Sequence, residues 1–177
     1  MPTIFALRRL LLLSILTAVL AGCGANRNPL EVTVQRCPAV AFVDETANWV
    51  EFAGEDLTAE QVVFDAMLSN LDLTCTQDTQ VESVVSFDVS VRGGPALDRP
   101  VEVTLPYYVV LLRDNSVIAA KKTYEVTFVL DPEAPRAGSR ETVRQVIDDI
   151  ERTRRYDYEL LIGFQMDPEA VAYNELR

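Results

Sequence analysis

The chain contains no histidine, and that absence removes much of the ordinary catalytic repertoire. Without an imidazole there is no Ser-His-Asp or Cys-His centre, and the usual zinc, copper and haem ligand sets cannot be completed. Neither a metal ligand nor a cofactor is expected. Gly93-Gly94 is an isolated pair running into Pro95, so it does not make a phosphate-cradling loop. Carboxylates are plentiful, and the adjacent pairs Asp44-Glu45, Glu55-Asp56 and Asp148-Asp149 have the atoms for glycoside hydrolysis or calcium binding. Neighbours on a strand point to opposite faces, however, so adjacency builds neither an acid/base pair nor a cation cage. We read these acids as solvated surface. Trp49, Tyr107, Tyr108 and Tyr173 could stack on a sugar or anchor a protein partner, with core and hairpin packing as the alternative. Arg152, Arg154 and Arg155 form the one dense basic cluster. It reads as a local offset to Asp148, Asp149 and Glu151, with a phosphate contact or an acidic partner as the alternative. No catalytic residue is assigned, and the chain is not expected to be an enzyme.

The N-terminus carries a different kind of chemistry. Arg8 and Arg9 precede an apolar stretch from Leu10 to Leu20 that only Ser14 and Thr17 interrupt, and no acid appears before Glu31. That is the pattern of a secretory signal. Eleven helical residues would extend only about half of the ~30 Å hydrocarbon core, too short for a stable span. Leu20-Ala21-Gly22-Cys23 follows and resembles the lipobox of bacterial lipoproteins. The resemblance implies cleavage after Gly22 and three acyl chains on Cys23, enough at about 0.8 kcal/mol per buried CH₂ to make release negligible. A non-lipidated signal peptide cut near Ala21 is the alternative. Gly24 stands where an inner-membrane retention signal would place Asp, which by the same analogy directs the protein to the periplasmic face of the outer membrane.

Three segments are expected: a lipoprotein signal peptide over 1–22, a lipidated tether over 23–36, and a domain over 37–177. The leader holds two of the 16 basic residues and none of the 27 acids. The mature chain therefore carries 14 bases against 27 acids, a net charge of −13, which disfavours nucleic acid and anionic headgroups as partners. Cys37 and Cys75 remain in an oxidising compartment, and a disulfide is expected. A reactive thiol, the alternative, would need a thiolate-stabilising neighbour, and Arg36 is the only adjacent cation.

From Cys37 onward the hydrophobic period is two. Val81, Ser83, Val85, Phe87, Val89 and Val91 share one face of a predicted strand, and Tyr124, Val126, Phe128 and Leu130 share one face of another. Tyr156, Tyr158, Leu160, Ile162, Phe164 and Met166 do the same near the C-terminus. Val101 to Leu112 begins alternating and then becomes apolar on both faces, so one end should be covered twice, while Pro106 marks an edge or a bulge. Val62 to Leu68 keeps even phase and Leu71 to Cys75 odd phase, which predicts a bulge or bend between Ser69 and Asn70. Turns are expected at Gly93-Gly94-Pro95 and Arg113 to Ser116, and a longer loop from Asp131 to Gly138. Residues 140–150 admit two readings. Val143, Val146, Ile147 and Ile150 have helical spacing with Ser139 as N-cap; sandwich-like spacing instead favours a strand carrying Val146, Asp148 and Ile150, and we favour the strand. Asp167-Pro168-Glu169 predicts the start of a short terminal helix.

About seven such strands imply an all-β, immunoglobulin- or fibronectin-like β-sandwich. The Cys37–Cys75 bridge is expected to pin the first strand to the second. The run Gly163 to Asn174, with Cys37-Pro38 and the lipobox, resembles a family of uncharacterised envelope lipoproteins of Gram-negative bacteria, the alphaproteobacteria in particular. The resemblance implies a location and no activity. The expected function is that of a membrane-anchored, non-enzymatic binding or structural module of the cell envelope, whose partner is a periplasmic protein or cell-wall polymer. A carboxylate-dependent hydrolase of envelope glycans is the alternative.

Overall fold

A computed structural model describes residues 37–148 and 157–176. The motif Leu20-Ala21-Gly22-Cys23, the tether, Asp149, Ile150, Glu151, the cluster Arg152, Arg154 and Arg155, and Tyr156 lie outside the described residues. Eight strands form two four-stranded sheets: β1 (Ala39–Phe42), β2 (Asn48–Phe52), β3 (Val62–Gln77), β4 (Val81–Gly93), β5 (Val101–Arg113), β6 (Val117–Leu130), β7 (Arg136–Ile147) and β8 (Tyr158–Phe164). One sheet has the order β1-β8-β5-β6 and the other β2-β3-β4-β7. A helix, α1 (Pro168–Glu175), follows the last strand. Two sheets face to face over one core make an all-β sandwich, with one strand more than the hydrophobic pattern predicts. All pairings are antiparallel except β1 with β8.

The alternating pattern explains the core. On β4 the odd residues Val81, Ser83, Val85, Phe87, Val89 and Val91 are buried, and the even ones between them only partly so. Facing them from the other sheet are Val103, Leu105, Tyr107, Leu111, Leu160, Ile162 and Phe164. The Phe87 ring sits at the centre, edge-on to Phe42 (centroids 6.0 Å) and to Tyr107 (5.4 Å). Burying each such side chain contributes about 1.5–3 kcal/mol. The doubly apolar stretch of β5 is also borne out, since Val109, Val110 and Leu111 are all buried.

Local chemistry sets the irregularities. The change of phase in β3 is a bulge: register with β4 shifts between Ser69 and Asp72, and Asn70 takes φ 52°, a left-handed conformation that asparagine tolerates well. Asp114 and Asn115 both have positive φ, and the Ser116 N–H donates to the Arg113 carbonyl, which is the geometry that matches a turn to the twist of two hairpin strands. The strand reading of residues 140–150 holds to Ile147, but the strand starts earlier, at Arg136. Its inward side chains are therefore Ala137, Ser139, Glu141, Val143 and Ile147 rather than Val146 and Asp148, Gly138 lies within it, and the preceding loop is short. Pro106 does not mark an edge: β5 is flanked by β6 and β8. Pro106 falls one residue past the end of the β8 ladder, and its carbonyl accepts from the Gln165 N–H at 2.8 Å.

The disulfide forms, with Cα atoms 5.9 Å apart, within the usual range. Its role differs from the expectation. Cys37 leads into β1 of one sheet and Cys75 lies on β3 of the other, so the bridge joins the two sheets rather than the first two strands. Local spacing could not show this, because β1 pairs with β8, more than a hundred residues away in the chain. Beneath it Ser83, opposite Cys75 in register, is fully buried with no hydrogen-bond partner for its hydroxyl.

Three ion pairs tie the outer face of the second sheet: Arg92 with Asp65 (2.9 Å), Arg140 with Asp88 (2.7 Å) and Arg144 with Glu82. The side-chain amide of the bulge residue Asn70 donates to Asp88 at 2.7 Å. That bond, reinforced by Arg140, holds the Asp88 carboxyl below its ordinary value, and Arg144 does the same for Glu82.

Two outcomes follow. A Cys37→Ser/Cys75→Ser chain should unfold at lower denaturant, having lost about 4 kcal/mol for a closed loop of this length; urea titration with and without reductant measures it. Because both carboxyl groups titrate lower when folded, the stability they add is present above the ordinary carboxylate range, near pH 4, and is lost as pH falls through the folded values. Asp88→Asn should therefore show a shallower loss of stability between pH 5 and pH 2 than the natural chain, read from unfolding midpoints across about three pH units.

Candidate functional site

A cleft of about 870 Å³ opens at one end of the sandwich. It is built from the end of β2, the start of β3, the end of β4, the start of β7 and α1. Val50, Phe52, Val62, Met67 and Tyr173 give it apolar surface, and Asp65, Ser90, Arg92 and Arg136 give it polar groups. Tyr173 is placed by the helix that the Asp167-Pro168 pair starts: Asp167 is still extended (φ −68°, ψ 151°) and Pro168 opens the first turn. The Asn174 side chain then docks that helix by donating to the carbonyls of Glu45 and Asn48, each at 2.8 Å. This sets the Tyr173 ring edge-on to Phe52, with centroids 5.3 Å apart.

The cleft wall depends on a close approach. A Cβ on Gly94 would stand 2.3 Å from the Val62 carbonyl oxygen, and the Gly94 N–H donates to the Val63 carbonyl. Glycine is required there because two backbones touch. Arg92 and Arg136 are directly opposed on β4 and β7, and like charges so placed repel. Asp65 offsets the first, accepting from Arg92 Nε at 3.0 Å. Among the described residues it is the only carboxylate lining the cleft. A ring pair, two guanidinium groups and one engaged carboxylate are equipped to hold a ligand, and they lack the second carboxyl group that glycoside hydrolysis uses.

The aromatic residues singled out from the sequence divide. Tyr173 lines the cleft. Trp49 packs edge-on to Phe164 at 6.0 Å and donates from its indole to Glu51. Tyr107 is core: it stacks on Tyr124 at 5.3 Å and donates to the inward-facing Glu141. Burial first, then the Glu141 charge, raises its pKa well above the ordinary phenol value. Tyr108 lies on the opposite face of β5, where its hydroxyl and that of Thr46 are 2.8 Å apart across Gly163 and Lys121 stands over its ring. Of the carboxylate pairs, Asp44-Glu45 lies in a 3-10 turn and Glu55-Asp56 in the loop after β2. Among the described residues no three His, Cys, Asp or Glu side chains come together as a metal could use them. Sequence reasoning missed Asp65, Arg92, Arg136 and Glu141. The phase of β7 would have shown Glu141 pointing inward, whereas nothing local pairs Arg92 with Arg136.

Comparison with protein-family models, with characterised proteins and with solved structures finds no match to this chain. The sandwich and its cleft therefore stand on their own geometry.

Gly94→Ala should move Val62 and distort the cleft, at a cost of about 1–3 kcal/mol from overpacking. Thermal unfolding measures the loss. Amide chemical-shift changes confined to the cleft residues would localise it.

Proposed function

We propose that the chain is a lipid-anchored protein of the cell envelope and acts there as a non-enzymatic binding or structural module. In this reading residues 1–22 are removed as a signal peptide, Cys23 takes the acyl chains, and residues 24–36 tether the sandwich. The location is the periplasmic face of the outer membrane, in keeping with the envelope-lipoprotein resemblance. The observation that carries the reading is the polarity of the domain. The tether would join at Cys37, beside the bridge to Cys75, and the cleft occupies the other end of the same strand, β3. Cys75 lies thirteen positions along β3 from Val62, roughly 40 Å. An anchor at one end and a concavity at the other suit presentation of the cleft to a periplasmic protein or a cell-wall polymer. A carboxylate-dependent hydrolase of envelope glycans is less well supported, because the one cleft carboxylate already holds Arg92.

Metabolic labelling with a clickable palmitate should mark the natural protein and leave Cys23→Ser unmarked. Equal labelling of both, or of neither, would remove the anchor and with it this function. In-cell crosslinking from a photoreactive residue at Met67, exposed in the cleft, should then capture a recurrent envelope component.

A further inference from the structure

Four strands are sheet edges, and three are guarded. β1 and β2 are four and five residues long, and short edges template poorly. β7 turns Glu141 inward, where it accepts hydrogen bonds from Tyr107 and Ser139, and an inward charge on an edge strand discourages pairing. β6 is the exception. Among the described residues it runs 14 residues, pairs with β5 on one side only, and leaves Ile118 and Val129 63% and 66% exposed.

The direction of its backbone groups can be worked out. Pro106 turns its carbonyl toward Gln165, after β8, so Pro106 and Glu125 form a pair without mutual hydrogen bonds. The N–H and C=O of Glu125 therefore point away from β5. The same holds for Lys121, Thr123 and Thr127, opposite Val110, Tyr108 and Thr104. These groups form a continuous unpaired ladder, the feature to which an added strand binds.

We propose that β6 pairs antiparallel with β6 of a second copy of this chain, centred on Thr123 opposite Thr123, so that two four-stranded sheets become one of eight. The charges select both occupant and register. On the outer face, each Lys121 meets Glu125 of the other copy, twice over by symmetry. Sliding by two residues in one sense sets Lys122 against itself; in the other it leaves Lys121 against Thr127 and Glu125 against Thr123. In a single copy Lys121 reaches back across its own sheet, 5.0 Å from the Tyr108 ring and donating to Gln165 at 2.9 Å, and pairing exchanges the Gln165 contact for Glu125 of the other copy. The bulge opposite Leu111 and Leu112 ends the usable stretch near Ala120.

The test is sedimentation of the full chain as the cell produces it, extracted in a mild detergent. The natural protein should form a dimer. Lys121→Glu and Glu125→Lys should each raise the dimer dissociation constant about tenfold, because two attractive pairs become repulsive. An equimolar mixture of the two variants restores both pairs and should dimerise like the natural protein, a result that a purely structural role for either side chain would not give. Glu125 is exposed with no hydrogen bond among the described residues, so Glu125→Lys should keep the native circular dichroism spectrum. A monomer at every concentration, a dimer indifferent to both variants, or a mixture no tighter than its components would each overturn the proposal. So would exclusive capture of a different protein by a crosslinker at Thr123.

Discussion

The structure depends on one row of side chains. Val81, Ser83, Val85, Phe87, Val89 and Val91 project from a single face of β4 into the space between the sheets, each at most 2% exposed. A strand alternates with a period of two, so this row fixes the register of β4 against both neighbours: a slip of one residue would carry Ser86, Asp88 and Arg92 into the core. β3 and β7 must follow, since each pairs with β4 along most of its length. The second sheet then closes over Phe87 with Tyr107 and Leu105, themselves in phase on β5. The cleft inherits its position from this arrangement, because its walls are the ends of the strands so aligned.

One departure from regularity in β4's partner shows how the two faces are reconciled. β3 is 16 residues long, and its first half has even residues inward while its second half has odd. Asn70 absorbs the change in a left-handed conformation and uses its side chain to bind Asp88. Asp88 in turn binds Arg140 from β7. The bulge is thus tied by polar bonds across three strands of the outer face, where bulging exposes backbone. Exposed ion pairs contribute little singly; here they sit where the ladder is interrupted.

Much of the fold was legible in the sequence for the same reason. Wherever a strand has one wet and one buried face, as in β4, β6 and β8, alternation reports it directly, and even the bulge between Ser69 and Asn70 appears as a change of phase. What failed was whatever depends on distant partners. β1 and β2 are too short to show a period, and β1 is held by β8 from the far end of the chain. The bridge joins the sheets instead of the first two strands because sheet membership is a property of topology, not of spacing. Arg92, Arg136, Phe52 and Tyr173 come from four separate elements, and no window of sequence contains more than one of them. The signal motif at Leu20 to Cys23 is the reverse case: it is read entirely from local residues and lies outside the described structure.

The net charge is also distributed rather than spread evenly. No lysine or arginine occurs between residues 37 and 91 or between 157 and 176, so β2, β3, β8 and α1 carry acids alone and β1 carries no charge. Five of the eight basic residues in the described structure, Lys121, Lys122, Arg136, Arg140 and Arg144, lie instead on β6 and β7, the two long edges on the same side of the sandwich. Arg140 and Arg144 are engaged by acids of β4, whereas Lys121 and Lys122 of β6 form no ion pair with an acid among the described residues. A uniform solubility shell would not separate the signs in this way. The separation gives the sandwich one flank that repels anionic surfaces and another, along β6, where opposite charges alternate beside unpaired backbone.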